Sequence, residues 1–393
     1  MTFSIEAGMG RIAIAASLFA VGCMAGAGED TTSDLEVNAS DAQTSDLAAR
    51  TGTTTGGAFT VVPLTANKAG VAPNVDPALV NSWGIVPFER MFWIADNGSG
   101  KLSVLDGQGK PSPQSGKIDI GEPITGLVAT GVSPHEKTLF QMPKSHEPAL
   151  LITVSESGKV IAINPHARTK DKFEVVYTSH TGAIYKGVTI LERTSSKGGP
   201  LILATDFHNN RVDVFNAKFE LVSAPSFVAS GLDTGFAPFN VMASGDEVYI
   251  TYALQDAEAE DDVAGVGNGY VVSYASNGQQ QQLAQHGVLN APWGLVMARS
   301  FGSIRNALLV GNFGDGKINV LDPTTLKIRG QLGDRNGQPL AIEGLWGLSF
   351  GDDVRKARAD VLYFAAGPND EMDGLFGKVV PVRRCYDDSC KHM

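Results

Sequence analysis

Polar side chains follow most of the short apolar runs in this sequence, and they are the first candidates for chemistry. The best-matched pair is Asp206 and His208, because a carboxylate can orient an imidazole that then acts as a base or a metal ligand. These two are the candidate catalytic residues. The other candidates for ligand contacts are Asn81, Asp96, Asn97, Asn209, Asn290, Asn312, Glu343 and Asn369. The competing interpretation is that Asp and Asn make tight turns after strands.

An acidic stretch after Thr251 is a candidate metal site. It contains Asp256, Asp261 and Asp262 without a Lys or Arg nearby, so its carboxylates could share a hard cation such as calcium. The spacing does not match an EF-hand loop, and runs of charge are usually solvated. Calcium is therefore the candidate cofactor, and a solvated acidic insertion is the alternative.

Complete catalytic motifs are absent from the sequence. The segment Gly311 to Lys317 reads G-x-x-x-x-G-K, but Ile318 follows where magnesium binding needs Ser or Thr. No nucleophile elbow and no His-Glu-x-x-His signature occurs. The net charge of −11, with no basic stretch, argues against nucleic acid or an anionic membrane surface as a partner.

The candidate residues flank an internally repeated unit of apolar strands. Its first strand carries a two-residue motif at Trp83-Gly84, Thr125-Gly126, Lys186-Gly187, Phe239-Asn240, Trp293-Gly294 and Trp346-Gly347. The motifs lie about 53 residues apart on average, which suits propeller blades with long loops. Six such units predict an all-β, six-bladed β-propeller over residues 59–382. We interpret the three tryptophans as core wedges between blades rather than as a platform for sugar rings.

Several stretches resemble known repeats. Residues 203–215 resemble an NHL repeat, with the sequence LATDFHNNRVDVF. Residues 70–95, 251–269 and 366–377 resemble an uncharacterised family of exported bacterial propeller proteins. The resemblance implies an NHL-like propeller and carries no established activity. We also expect the strand from Phe59 to Leu64 to pair with residues 378–382, so that the two chain ends close the ring.

The N-terminus has the features of an export signal. Arg11 precedes an apolar run over residues 12–21 that is too short to span a bilayer. Gly22 and Cys23 end a segment that resembles a bacterial lipobox, which implies a signal peptide over residues 1–22 and lipidation of Cys23. Ordinary signal cleavage without lipidation is the alternative. Under either interpretation the protein is exported. We expect an outer-membrane or cell-surface lipoprotein, or otherwise a periplasmic or secreted protein, with membrane contact only through the anchor.

Two segments outside the repeats complete the domain organisation. Residues 23–58 are rich in small and acidic residues and have almost no large apolar ones, which predicts a disordered acidic linker. Residues 383–393 form a C-terminal tail that contains Cys385 and Cys390. An even pair of cysteines in an exported protein predicts a local disulfide. Two cysteines cannot complete a tetrahedral zinc site by themselves.

Two functions from different classes fit these observations. The first, which we favour, is a monomeric binding module for a protein, a glycan or a small ligand. The alternative is a metal-dependent, calcium-type hydrolase or lyase with its site in the central funnel of the propeller, which rests on fold analogy alone. The enzyme hypothesis predicts that carboxylate and amide groups from several blades surround one ion, with their oxygen atoms about 2.3–2.6 Å from it. The binding module predicts an uncharged or open funnel.

Overall fold

A computed structural model describes residues 54–133, 135, 138–194, 198–351 and 354–382. The signal segment, Cys23, most of the predicted linker, Cys385 and Cys390 lie outside the described residues. Within them every regular element is a β-strand, and none of them forms a helix able to cross a membrane.

Twenty-four strands are assigned among the described residues. In chain order they are β1 (Thr54–Ala66), β2 (Asn74–Val75), β3 (Ser82–Phe88), β4 (Met91–Asp96), β5 (Lys101–Leu105), β6 (Ile124–Ala129), β7 (Leu151–Ser155), β8 (Lys159–Ile163), β9 (Phe173–Thr178), β10 (Tyr185–Leu191), β11 (Leu201–Asp206), β12 (Arg211–Asn216), β13 (Leu221–Val222), β14 (Phe236–Ser244), β15 (Glu247–Leu254), β16 (Gly269–Ala275), β17 (Gln280–Gln285), β18 (Pro292–Phe301), β19 (Ile304–Asn312), β20 (Ile318–Leu321), β21 (Ile328–Gly333), β22 (Leu345–Phe350), β23 (Leu362–Ala366) and β24 (Leu375–Pro381).

The strands form six antiparallel units; five are meanders of consecutive strands, and the last is completed by β1 from the other end of the described chain. The units are β3–β5, β6–β9, β10–β13, β14–β17, β18–β21 and β22–β24 with β1. Six apolar clusters each join two neighbouring units, including one between the first unit and the last. This arrangement confirms the predicted all-β propeller, and the six units of the described chain agree with six blades.

Local sequence explains why each unit turns back on itself. The strand β11 has the sequence LILATD and is buried along its whole length, which suits apolar and β-branched residues. Asn210 follows it with φ of 50°, a left-handed conformation that Asn tolerates in a tight turn. β12 then pairs antiparallel with β11 from Arg211 onward. The same pattern of apolar strand and tight turn recurs in the other blades.

The two ends of the described chain close the ring. β1 pairs antiparallel with β24, with Phe59 opposite Pro381, which confirms the predicted closure. However, β1 begins at Thr54 rather than at Phe59, because Thr54 and Thr55 pair in parallel with β21 of the fifth blade. An edge strand offers unpaired backbone groups, and these residues satisfy some of them. A composition that indicated a spacer does not reveal such pairing.

The glycines of the repeated motif permit close approach between neighbouring innermost strands. These strands are β3, β6, β10, β14, β18 and β22, and each carries one copy of the motif. A Cβ atom on Gly347 would lie 2.3 Å from the carbonyl oxygen of Trp83 in the next blade. A Cβ atom on Gly187 would lie 2.2 Å from Oδ1 of Asn240. Any side chain at either position would therefore push adjacent blades apart.

The three tryptophans of the motif contact one another on the propeller axis. Trp83 and Trp346 stack with ring centroids 3.5 Å apart, and Trp293 meets both rings edge-on. They belong to a single buried cluster that also includes Phe239. The tryptophans are therefore buried core residues from separate blades, as the sequence predicts, but they pack against one another on the axis instead of each wedging between one pair of blades. The innermost strands begin so close together that aromatic side chains from separate blades share one central core.

Candidate functional site

The innermost strands begin at the edge of each blade where the second strands end. Ser82 pairs with Asp96 in the first blade, and Tyr185 pairs with Asp206 in the third. The loops after the second strands therefore meet around the axis at one end of the ring. A cavity of about 540 Å³ lies there, and we call it the axial funnel. Its lining residues are Trp83, Glu156, Ile184, Glu260, Asp261, Asp262, Phe313, Trp346 and Glu371.

Lys186 is the buried cation of the funnel. Its side chain is only 2% exposed, and Nζ lies 2.6 Å from Oε1 of Glu156 and 3.0 Å from Oδ1 of Asp261. Nζ also lies 5.5 Å from the ring centroid of Trp83 and 5.8 Å from that of Phe207, within the range of cation–π attraction. Burial disfavours the ammonium, but the two carboxylates outweigh it and raise the pKa of Lys186. The two ion pairs and this shift together favour the charged ammonium.

Two of the predicted ligand residues, Asn81 and Asn97, connect the polar groups of the funnel. Asn81 Nδ2 donates to Oε2 of Glu371 at 2.5 Å and to Oδ1 of Asn97 at 3.3 Å. Asn97 Nδ2 donates to Oε2 of Glu156 at 2.8 Å. The indole nitrogen of Trp346 donates to Oδ1 of Asn81 at 3.1 Å. This chain of amides positions two carboxylates from different blades.

The remaining acidic groups lack an equivalent cation. Burial raises the pKa of Asp262 to about 7, opposed by the Lys186 ammonium and reinforced by the nearby carboxylates of Glu371 and Asp261. Burial also raises the pKa of Glu371, although its hydrogen bond from Asn81 acts in the opposite direction. Oδ2 of Asp262 is buried and has no hydrogen-bond partner among the described residues. Asp262 is thus the least satisfied carboxylate of the funnel.

Asp206 and His208, the candidate catalytic residues, contact different partners. Asp206 is fully buried, accepts hydrogen bonds from the backbone and side-chain nitrogens of Asn209, and forms an ion pair with Arg211 at 3.1 Å. His208 Nδ1 lies 3.1 Å from the carbonyl oxygen of Ala259. Asp206 thus stabilises the turn after β11, and His208 holds the acidic loop.

The other predicted ligand residues form hydrogen bonds within blades or between loops. Asp96 is fully buried and accepts 2.6 Å hydrogen bonds from the hydroxyls of Ser82 and Ser103. Asn290 and Asn312 are also buried: Asn290 accepts from the Gly265 nitrogen at 2.7 Å. Asn312 donates to the Val288 carbonyl oxygen at 2.8 Å.

Two further predicted residues, Glu343 and Asn369, contact each other near the same end of the ring. Glu343 Oε1 accepts from the backbone nitrogen of Asn369 at 2.9 Å. Asn369 Nδ2 also donates to Oδ2 of Asp373 at 3.1 Å. Together with Glu371 they belong to one loop arrangement, in which Glu371 alone lines the funnel.

The acidic stretch divides between loop structure and funnel. Asp256 Oδ1 accepts from the backbone nitrogen of Glu260 at 2.9 Å and stays within its own turn. Asp261 and Asp262 line the funnel. No group of three or more His, Cys, Asp or Glu side chains is arranged to hold a metal in the part of the chain that the structure describes. These residues therefore do not fit a calcium ion as they stand, and calcium remains a prediction from the sequence.

Four charged residues of the funnel are not among the candidates selected from the sequence: Glu156, Lys186, Glu260 and Glu371. For Lys186 a signal was present, because it occupies the motif position that Trp83, Trp293 and Trp346 fill in other blades. A lysine at a motif position that other blades fill with buried tryptophan needs a carboxylate or another acceptor to pair with its charge. Glu156 and Glu371 lie in loops and show no comparable pattern.

The sequence relatives of this chain are uncharacterized viral proteins. No protein-family model matches the chain. Relatives from Acanthamoeba polyphaga mimivirus include uncharacterized protein L690, 28% identical over 82% of this chain and 86% of the relative. Uncharacterized protein R648 is 27% identical over 80% and 78%. Uncharacterized protein R640 is 33% identical over 70% of this chain and 52% of its own length. The resemblance to exported bacterial proteins stays a prediction, since these relatives are viral.

Solved structures of low sequence identity share the propeller architecture. An auxiliary nutrient binding protein from Bacteroides ovatus matches with a TM-score of 0.51 and 10% identity, over 83% of this chain and 77% of that one. Virginiamycin B lyase from Staphylococcus aureus matches with a TM-score of 0.46 and 13% identity, over 82% and 100%. At this identity the likeness concerns the fold alone.

Proposed function

We propose that this protein is a binding module that holds a small ligand in the axial funnel. The observation that carries the proposal is a cavity of about 540 Å³ in which tryptophan rings and carboxylates from several blades meet. Ligand sites typically combine apolar and aromatic walls with a few polar groups that orient the ligand. The binding module was expected to have an uncharged or open funnel. Five carboxylates line it instead, so the ligand must complement that charge.

The metal-dependent hydrolase or lyase is the second candidate. Its favouring observation is that carboxylates and amides from several blades do come together in the funnel. Against it, Lys186 already supplies the cation for two of the carboxylates. The acidic side chains of the described residues are also not arranged to hold a metal ion.

The test uses matched substitutions at the two ends of the axis. Ile184 lines the funnel, so Ile184→Trp should fill it and abolish ligand binding. Val296 lines a separate cavity toward the other end of the innermost strands, so Val296→Trp should leave binding intact. Binding is measured by thermal-shift screening of a diverse small-molecule library, with calcium chloride included. Hits that survive Ile184→Trp would place the binding site elsewhere, and a calcium response would favour the second candidate.

We further propose that the protein is exported as a monomer and anchored through lipidated Cys23. The apolar run before Gly22-Cys23 and the acidic segment that follows support this proposal. Mass analysis of the mature N-terminus should find a diacylglyceryl group on Cys23. An unmodified terminus further along the chain would refute the anchor. Light scattering of a soluble form that begins after Cys23 should give the mass of one chain.

A further inference from the structure

The funnel already contains one bound ammonium group, which belongs to the protein itself. Lys186 Nζ is held by the carboxylates of Glu156 and Asp261 and lies over the rings of Trp83 and Phe207. Carboxylates supply charge and hydrogen-bond acceptors to an ammonium, and aromatic faces attract it electrostatically. This internal site establishes which groups in this funnel hold an organic cation.

A second set of the same groups lines the funnel without a cation. Asp262 and Glu371 interact electrostatically. The half-buried ring of Phe313, which stacks on the buried Trp346 with centroids 3.9 Å apart, lines the same cavity. None of the described residues that line the funnel is basic, and five of them are acidic. One buried ammonium, that of Lys186, cannot neutralise five carboxylates. The second set therefore repeats the chemistry of the first and lacks its charge.

Two polar atoms on funnel-lining residues add an independent observation. Oδ2 of Asp262 and Nε1 of Trp83 are buried and have no hydrogen-bond partner among the described residues. Trp83 is only 3% exposed. Buried polar atoms are nearly always paired in folded proteins. The unpaired acceptor, Oδ2 of Asp262, is what an ammonium group of a ligand would complete, whereas an ammonium has no acceptor for the indole nitrogen of Trp83.

We propose that the ligand of the funnel is an organic cation whose ammonium group is bound by Asp262 and Glu371. Its apolar part lies against the half-buried ring of Phe313. This inference rests on the proposed function and specifies the class of ligand. The ammonium group of the ligand pairs with Asp262 and Glu371, as the ammonium group of Lys186 pairs with Glu156 and Asp261.

Apolar residues beside these carboxylates favour an organic cation over a metal ion. Ile184 and Phe313, both partly buried, line the funnel together with Asp262 and Glu371. Hydrocarbon attached to an ammonium gains from contact with such surface. Calcium instead needs six to eight oxygen ligands and gains nothing from aromatic or aliphatic walls.

The test is a series of probes that differ in charge and share a phenyl group. Isothermal titration calorimetry of the full chain at pH 8 compares 2-phenylethylammonium, neutral 2-phenylethanol and anionic 3-phenylpropanoate, with calcium chloride as a fourth ligand. We expect the cation to bind at least tenfold more tightly than the other two phenyl compounds. Asp262→Asn and Glu371→Gln should each weaken binding of the cation at least tenfold, because each removes a charge-assisted contact. Asp256→Asn, in the same loop but outside the funnel lining, should not.

The outcomes separate this inference from the proposed function. Equal or tighter binding of the alcohol or the anion, if lost in Ile184→Trp, would overturn the inference and leave the proposed function standing. Binding of calcium that displaces the cation would also overturn it. No binding by any probe or library compound would overturn both. The probe series needs no variant, so it decides the question even if a substitution prevents folding.

Discussion

Replacing Asp262 by asparagine should change the pH dependence of stability in a defined direction. In the folded protein, burial raises the pKa of Asp262 to about 7, whereas its ordinary value is 3.8. Between about pH 4 and pH 7 the unfolded chain has released this proton and the folded protein retains it. The stability that Asp262 contributes is therefore complete below about pH 4. It is lost as the pH rises through about 7.

The expected size of the effect follows from the width of that window. Each pH unit across it costs the folded protein about 1.4 kcal/mol, so the whole window costs about 4 kcal/mol. The asparagine side chain in the variant would carry no such charge at any pH. Solvent that enters the funnel screens the charge, and we expect at least about 2 kcal/mol to remain. Relative to the wild type, Asp262→Asn should therefore gain at least about 2 kcal/mol between pH 4.5 and pH 8.

The assay is urea denaturation of both proteins at pH 4.5, 6, 7 and 8, followed by tryptophan fluorescence. Comparing the change across pH cancels any fixed cost of placing an amide where Oδ2 has no partner. Asp256→Asn is the matched control, because Asp256 lies in the same loop and outside the funnel lining. A difference between Asp262→Asn and the wild type that stays constant within about 0.5 kcal/mol across this range would refute the reasoning.

Three further substitutions or deletions test the blades and their closure. Lys186→Met removes the cation beside Glu156, and we expect the free energy of unfolding at pH 7 to fall by about 2 kcal/mol, measured by urea denaturation. Gly347→Ala places a methyl group 2.3 Å from the carbonyl oxygen of Trp83, which should cost at least about 2 kcal/mol in the same assay. Deleting residues 1–58 removes the part of β1 that pairs with β21, so the melting temperature should fall below that of the full chain.

Each of these has a control within the chain. Lys68→Met removes an exposed ion pair and should change stability by less than about 1 kcal/mol, so an equal effect of Lys186→Met would contradict its buried role. The control for Gly347→Ala is Gly182→Ala. A Cβ atom on Gly182 would have no neighbour within 4 Å, so this substitution tests only the cost of its φ of 68°. An equal cost at Gly347 would argue against close approach of blades. A chain that starts at Thr54 should melt like the full chain, and a melting temperature equal to that of the 1–58 deletion would contradict the pairing.

The repeated strands and the closure of the ring could be predicted from the sequence because they recur at a regular spacing. Five of the blades are meanders of consecutive strands, so the order of apolar runs and turns along the chain is also their order in space. The repeated motif is visible for the same reason. Its glycines, such as Gly347, recur because the backbone of the next blade approaches too closely for a Cβ atom. Asn81 and Asn97 were selected because they flank these strands.

The partners of the funnel could only be decided by the tertiary structure. Asn81 and Glu371 are 290 residues apart and meet because the last blade lies beside the first. Conversely, Asp206 and His208 are two residues apart and contact different partners, because the turn after β11 directs one into its own blade and the other to the neighbouring loop. Spacing along the chain therefore determined the repeated strands and their order. Ring closure, which brings distant loops around one axis, decided which charges face each other.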